Sequence, residues 1–111
     1  AKVYVIQESP GKNLVGAMKY GEVVVLLPEN RQLMFSAGAV VNELNMKLAK
    51  FTDDDYLVLI GDPAAIGAAC MVAARWNNGR VKMLKWDRQE ATYFPVQVSI
   101  YPERRADDVR P

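Results

Sequence analysis

The period of the apolar positions changes twice between residues 55 and 86. Tyr56-Leu57-Val58-Leu59-Ile60 is an unbroken apolar run closed by Gly61, which predicts a buried strand. Asp62-Pro63 follows, then a small-residue apolar stretch over 64–76, which predicts a helix. Asn77-Asn78-Gly79 stops it, and residues 80–86 form the next strand, with Val81, Met83 and Leu84 as its apolar positions. Strand, helix and strand in one block are the sequence form of a βαβ unit, around which the chain is organised. Asp62 suits the helix N-cap and Pro63 the first helical position, where a missing donor costs nothing. Ala64, Ala65, Gly67, Ala68 and Ala69 give this helix a thin surface. It stays apolar nearly all round until Arg75, so a neighbour or second subunit is expected on its far side. Gly79 suits the C-cap region.

The flanks follow the same rules. Residues 2–8 read as a strand and 9–13 as a turn. Residues 14–20 fit either a short strand or an irregular helical turn, with Gly16 and Gly21 as breakers. Residues 22–27 form a β-branched run closed by Pro28, as expected of a strand buried on both faces. A loop over 29–35 precedes Ser36, the expected N-cap of a helix reaching about Lys50. Val40, Leu44 and Leu48 make its apolar stripe, and Met46 lies off it among polar residues. Thr52-Asp53-Asp54-Asp55 reads as a solvated turn. From Tyr93 onward Phe94, Val96, Val98 and Ile100 alternate with polar positions. That predicts a half-buried strand hairpinned to 80–86 and close to a sheet edge, because of Pro95.

The predicted fold is α/β: one domain over residues 1–101 and a charged, loose tail over 102–111. A small mixed sheet of about five strands has a central βαβ core, two main helices and a C-terminal antiparallel hairpin. Strands 22–27, 56–60 and 80–86 form its parallel core, joined by right-handed crossovers.

Composition narrows the chemistry. The 111 residues carry 14 basic and 13 acidic side chains, a net charge of +1, which offers no long-range field for nucleic acid or an anionic membrane. Histidine is absent and Cys70 is the single cysteine. Ser-His-Asp and Cys-His catalysis, His-ligated zinc and the commonest near-neutral general base go with them. A lone thiol in an apolar helix fits a reducing compartment, and no apolar run reaches membrane-spanning length, so a cytoplasmic location is expected.

Three candidate surfaces remain. The first is the carboxyl end of the parallel strands, where backbone N–H groups of Ala64 and Ala65 could face an anion. Arg31 or Arg88 would assist, and Asp62 with Asp87 could hold Mg²⁺ through water. Asp62 acting as a cap would oppose a phosphate, and the glycine fingerprint of dinucleotide sites is missing, so capping is the favoured reading and no metal or cofactor is expected. The second is the basic hairpin, Arg80, Lys82, Lys85 and Arg88 with Trp86 and, nearby, Arg75 and Trp76, which has the composition of a single-strand nucleic-acid platform. The neutral total charge favours a solvated face instead. The third is a protein-interaction surface that includes Met46, Arg75, Arg80, Lys82 and Trp86.

Three stretches carry a resemblance: 19–28 around Gly21-Glu22-Val23-Val24-Val25, 54–67 around Ile60-Gly61-Asp62-Pro63-Ala64, and 78–89 around Lys82-Met83-Leu84-Lys85-Trp86-Asp87. Across most of residues 17–100 the chain resembles small proteins encoded in tailed-phage genomes. The resemblance implies a genomic setting and brings no activity or site residues. It favours a non-enzymatic interaction protein, self-associating through the apolar helix or the hairpin edge, with a host or phage protein as partner. Nucleotide or phosphate-ester binding at the strand ends is the alternative, and nucleic-acid binding by the 80–88 hairpin the third reading.

Overall fold

The computed structural model describes residues 1–102; the charged stretch expected to be loose lies, from residue 103 on, outside the described residues. The element order is β1 (Lys2–Gln7), α1 (Val15–Met18), β2 (Glu22–Leu27), a 3-10 turn (Leu33–Phe35), α2 (Ala37–Leu48), β3 (Tyr56–Val58), α3 (Pro63–Trp76), β4 (Arg80–Asp87) and β5 (Thr92–Ser99). The mixed five-stranded sheet runs β2-β1-β3-β4-β5. β1 pairs in parallel with both β2 and β3, β3 with β4, and β5 closes the sheet as an antiparallel hairpin strand.

The order explains where the helices go. From β1 the chain moves one way to β2, then back past β1 to β3 and on to β4. With crossovers of one hand, a reversal of direction puts the connecting helices on opposite faces. Ala17 of α1 accordingly packs with Val3, Val5, Val58, Ile60 and Leu84, whereas α2 and α3 cover the other face over Tyr4, Ile6, Leu57 and Val81. The stripe Val40, Leu44 and Leu48 is fully buried there, and Ala65, Ala69 and Ala73 let α3 lie close to the sheet.

The expectation of a strand at 22–27 buried on both faces is corrected. β2 is an edge strand whose Val25 remains 42% exposed. β1, by contrast, is flanked on both sides, and a continuous apolar run cannot by itself tell an interior from an edge position. β3 is also shorter than 56–60, because Leu59 and Ile60 leave the regular ladder, although both still bond neighbouring strands: Leu59 N donates to Leu84 O and Ile60 O accepts from Gln7 N. The expected half-burial of the last strand holds only for Tyr93 and Thr92; the rest of β5 is exposed.

Two predicted caps do not form. Ser36 flanks α2, but its hydroxyl donates backwards to the Gln32 carbonyl at 3.0 Å. Asp62 flanks α3 with extended backbone and its carboxylate makes no capping bond, while Pro63 does occupy the first turn. At the far end of α3 the left-handed position is Asn78 (φ 55°), with Gly79 N–H closing back onto the Ala74 carbonyl at 2.7 Å, a Schellman ending. The expected solvated turn over 52–55 holds for Thr52, Asp53 and Asp54, which are exposed, and is corrected at Asp55. Asp55 is only 6% exposed and its carboxylate accepts from Lys2 N–H (2.8 Å), Thr52 N–H (2.8 Å) and the Thr52 hydroxyl (3.1 Å). Asp53 binds the Arg80 guanidinium and the Asn77 amide. The turn is a clasp between the start of β1 and the strands that follow.

A cleft at the reversal of the sheet

Because β1 and β3 are neighbours whose connections leave in opposite directions, a crevice opens between their carboxyl ends, the place where ligands bind in open α/β sheets. It has a volume of about 1060 Å³. The loop after β1 (Glu8 to Asn13), the loop after β2 (Glu29 to Met34) and the start of α3 (Gly61, Asp62, Ala64) form its walls, with Trp86 and Tyr93 at one side.

Gln7 builds the floor. The side chain lies at the end of β1, 4% exposed. Its Nε2 donates to the carbonyls of Pro28 (3.1 Å) and Arg31 (2.6 Å), with Glu29 O further off at 3.4 Å. Its Oε1 accepts from Asp62 N–H at 2.8 Å. One amide thus ties together the segments that follow β1, β2 and β3. Gly61 makes room for it: a Cβ there would lie 2.5 Å from Gln7 Cβ, and the backbone sits at φ 133°. The signal for Gln7 in the sequence is a polar residue directly after a run of buried apolar ones, and reading 2–8 simply as a strand passes over it.

The walls carry mixed charge. Arg31 reaches Glu43 of α2 at 2.8 Å, and Glu43 also binds Lys47. Those two cations, Lys47 foremost, hold the Glu43 carboxyl below its ordinary range. Lys12 is the second cation on the wall, which also carries the carboxylates of Glu8, Glu29 and Asp62. The Tyr93 hydroxyl donates to Asn13 O at 2.8 Å, which pins the loop after β1, and burial raises the phenol above its usual value. Trp86 stands edge-on to Tyr93 with centroids 5.0 Å apart. At the mouth, Ile66 N–H already donates to Asp62 O, so Ala64 and Ala65 carry the first-turn donors that α3 leaves without a helical carbonyl.

Of the residues predicted for this end of the sheet, Asp62 and Ala64 line the cleft and Ala65 is buried beside them. Asp87 and Arg88 are not part of its wall. Asp87 instead accepts from Glu90 N–H in the β4–β5 turn at 2.9 Å, so the pairing of Asp62 with Asp87 around Mg²⁺ is not formed. Among the described residues no group of three or more His, Cys, Asp or Glu is placed to hold a metal ion.

The predicted interaction residues are scattered. Arg75 lies against the Trp76 ring (4.6 Å) and donates to Asn45 on α2, as does Trp76 Nε1. Arg80 is engaged by Asp53, and Lys82 sits over the Tyr56 ring at 4.3 Å. Those two with Trp86 occupy one face of β4, away from Met46 on α2. The basic residues of the hairpin therefore do not assemble into one free patch with the aromatics. Among the described residues no helix is long and apolar enough to cross a membrane. Cys70 packs beside the α2–α3 core, and burial raises its thiol above the ordinary range.

No curated protein and no solved structure matches this chain. A family match is found and spans residues 1–100, every strand and helix described above: the chain belongs to the Phage Pam3 gp32-like protein family.

Proposed function

We propose that this phage-family chain acts by binding rather than by catalysis, and that its ligand is a small phosphate ester with a planar organic body, seated in the cleft between β1 and β3. The observation that carries the reading is the uncapped start of α3 at the wall of a 1060 Å³ crevice. A 14-residue helix directs its positive end towards that space, with Ala64 on the wall. Lys12 supplies a neighbouring cation, and Trp86, Tyr93 and Met34 offer apolar surface for the body of the ligand. The carboxylates of Glu8, Glu29 and Asp62 oppose a highly charged polyphosphate, so one phosphate is the better fit. The absence of histidine leaves the commonest near-neutral base out of the site.

The test is calorimetric titration with inorganic phosphate, a nucleoside and the matching nucleoside monophosphate. The monophosphate is expected to bind, and the other two more weakly. Asp62→Ala removes a charge beside the helix terminus and should tighten binding about two- to fivefold, the 0.3–1 kcal/mol scale of such charges. Its effect on stability should stay within about 0.5 kcal/mol, since the carboxylate caps nothing. Ala64→Asp should weaken binding about tenfold. Affinity indifferent to both substitutions, or no binding of any of the three probes, refutes the reading.

A further inference from the structure

The open edge at β5 carries an unusual combination. Residues 92–101 contain no charged side chain. Edge strands ordinarily carry charge, bulges or proline that discourage pairing with another chain, and of these β5 has Pro95 near its start but no charge. Phe94, Val96, Val98 and Ile100 lie along one face and remain 47, 40, 41 and 66% exposed. Together they leave an apolar patch on the order of several hundred Å², towards the upper end of what a monomer shows and short of the roughly 800 Å² per partner of a standard interface.

The backbone settles which groups face out. Ile100 N–H donates to Gly79 O at 2.9 Å, so by alternation Phe94, Val96 and Val98 also turn their backbone groups towards β4. Leu84 O accepts from Leu59 N–H of β3, so Leu84 does not bond its β5 partner Pro95. Tyr93, Pro95, Gln97 and Ser99 therefore face the open edge.

We propose that a second copy of this chain covers this edge, the two β5 strands pairing antiparallel about a two-fold axis at Val98 to make one ten-stranded sheet. This register keeps Pro95 outside the paired segment of β5. With Val98 on the axis, Gln97 of each copy exchanges both backbone groups with Ser99 of the other. With the axis at Gln97 or Val96, Pro95 faces Ser99 or Gln97 inside β5 and leaves that carbonyl without a donor; with the axis at Val98 it faces Tyr101, beyond the end of the strand. With the axis at Ser99 the ladder needs Tyr101 N–H, which already donates to the Ser99 hydroxyl at 3.2 Å. In the chosen register Val98 meets Val98 and Val96 meets Ile100, apolar against apolar, and no like charges face each other across the axis. The occupant is a second copy because the edge is complementary to itself in both hydrogen bonding and side chains.

Sedimentation velocity of the full chain tests this. The expected mass is twice the 12.4 kDa of one chain. Val98→Lys sets two ammonium groups on the axis, and Gln97→Pro removes an outward donor without touching the β4 ladder. Each should halve the mass, with far-UV circular dichroism and cooperative melting retained in at least one of them. A single-chain mass for the parent at every concentration overturns the proposal. So does a dimer that survives in every variant that folds, or assembly that grows beyond two copies.

Discussion

The two ends of the sheet use their polar residues in opposite ways. At the amino end, Asp55, Asp53, Asn77 and Arg80 are spent on one another and on the backbone. The acidic run there reads as a solvated turn in the sequence, and two of its carboxylates form a clasp in the structure. At the carboxyl end, a single buried amide, Gln7, does the tying, and among the described residues the carboxylates of Glu8, Glu29 and Asp62 accept no hydrogen bond. One end is closed by its own side chains, and the other is held open by a residue beneath them. Buried polar groups must be paired within the protein, whereas groups on a solvated wall remain available to a ligand.

The sharpest test of this contrast is Gln7→Leu. It keeps the volume but leaves the Pro28 and Arg31 carbonyls and the Asp62 N–H without partners, at an expected cost of about 3 kcal/mol in urea unfolding. A cost below about 1 kcal/mol would mean that water replaces the amide, and the floor would not be the tie described. Asp55→Ala should cost about 2 kcal/mol, the scale of a charge-assisted hydrogen-bond set, and should loosen hydrogen exchange at Lys2 and Thr52 before the cleft responds. Equal loosening at both ends would erase the distinction between them. The smallest effect is on pH. Asp53 is held below its usual value by Arg80 first and Asn77 second, and Glu43 chiefly by Lys47. A folded value below the unfolded one adds stability above the unfolded carboxylate value of about 4, and that stability is lost as pH falls through the depressed value. The melting temperature should therefore decline chiefly below pH 4. Asp53→Asn should flatten the decline, and salt should weaken the effect because both pairs are solvated.

The elements were legible where periodicity or apolar runs speak: the 55–86 block, the stripe of α2 and the alternation in β5 all lie where the pattern put them. Position in the sheet was not. Glu22–Leu27 and Lys2–Gln7 have nearly the same apolar content, yet one is an edge strand and the other an interior one, and only long-range pairing separates them. Caps failed for a related reason. Serine and aspartate preceded both main helices as the rules ask, but the Ser36 hydroxyl found the Gln32 carbonyl, and the Asp62 carboxylate makes no capping bond while its N–H is held by Gln7, 55 residues away. The cleft was legible as a location, since strand ends are generic sites, and Asp62 and Ala64 do lie in it. Tyr93 and Gln7 were not, because their roles depend on which loop each meets after folding.

One strand also sets a timetable for synthesis. β1 leaves the ribosome before every other strand, but it needs a neighbour on each flank, and one of these, β3, ends at residue 58. Val3, Tyr4, Val5 and Ile6 must wait until β3 has been made before both sides are filled, so the nascent segment carries a sticky apolar run until then. Rearranging the chain so that β1 is made between its two neighbours would shorten that interval and leave the finished sheet unchanged.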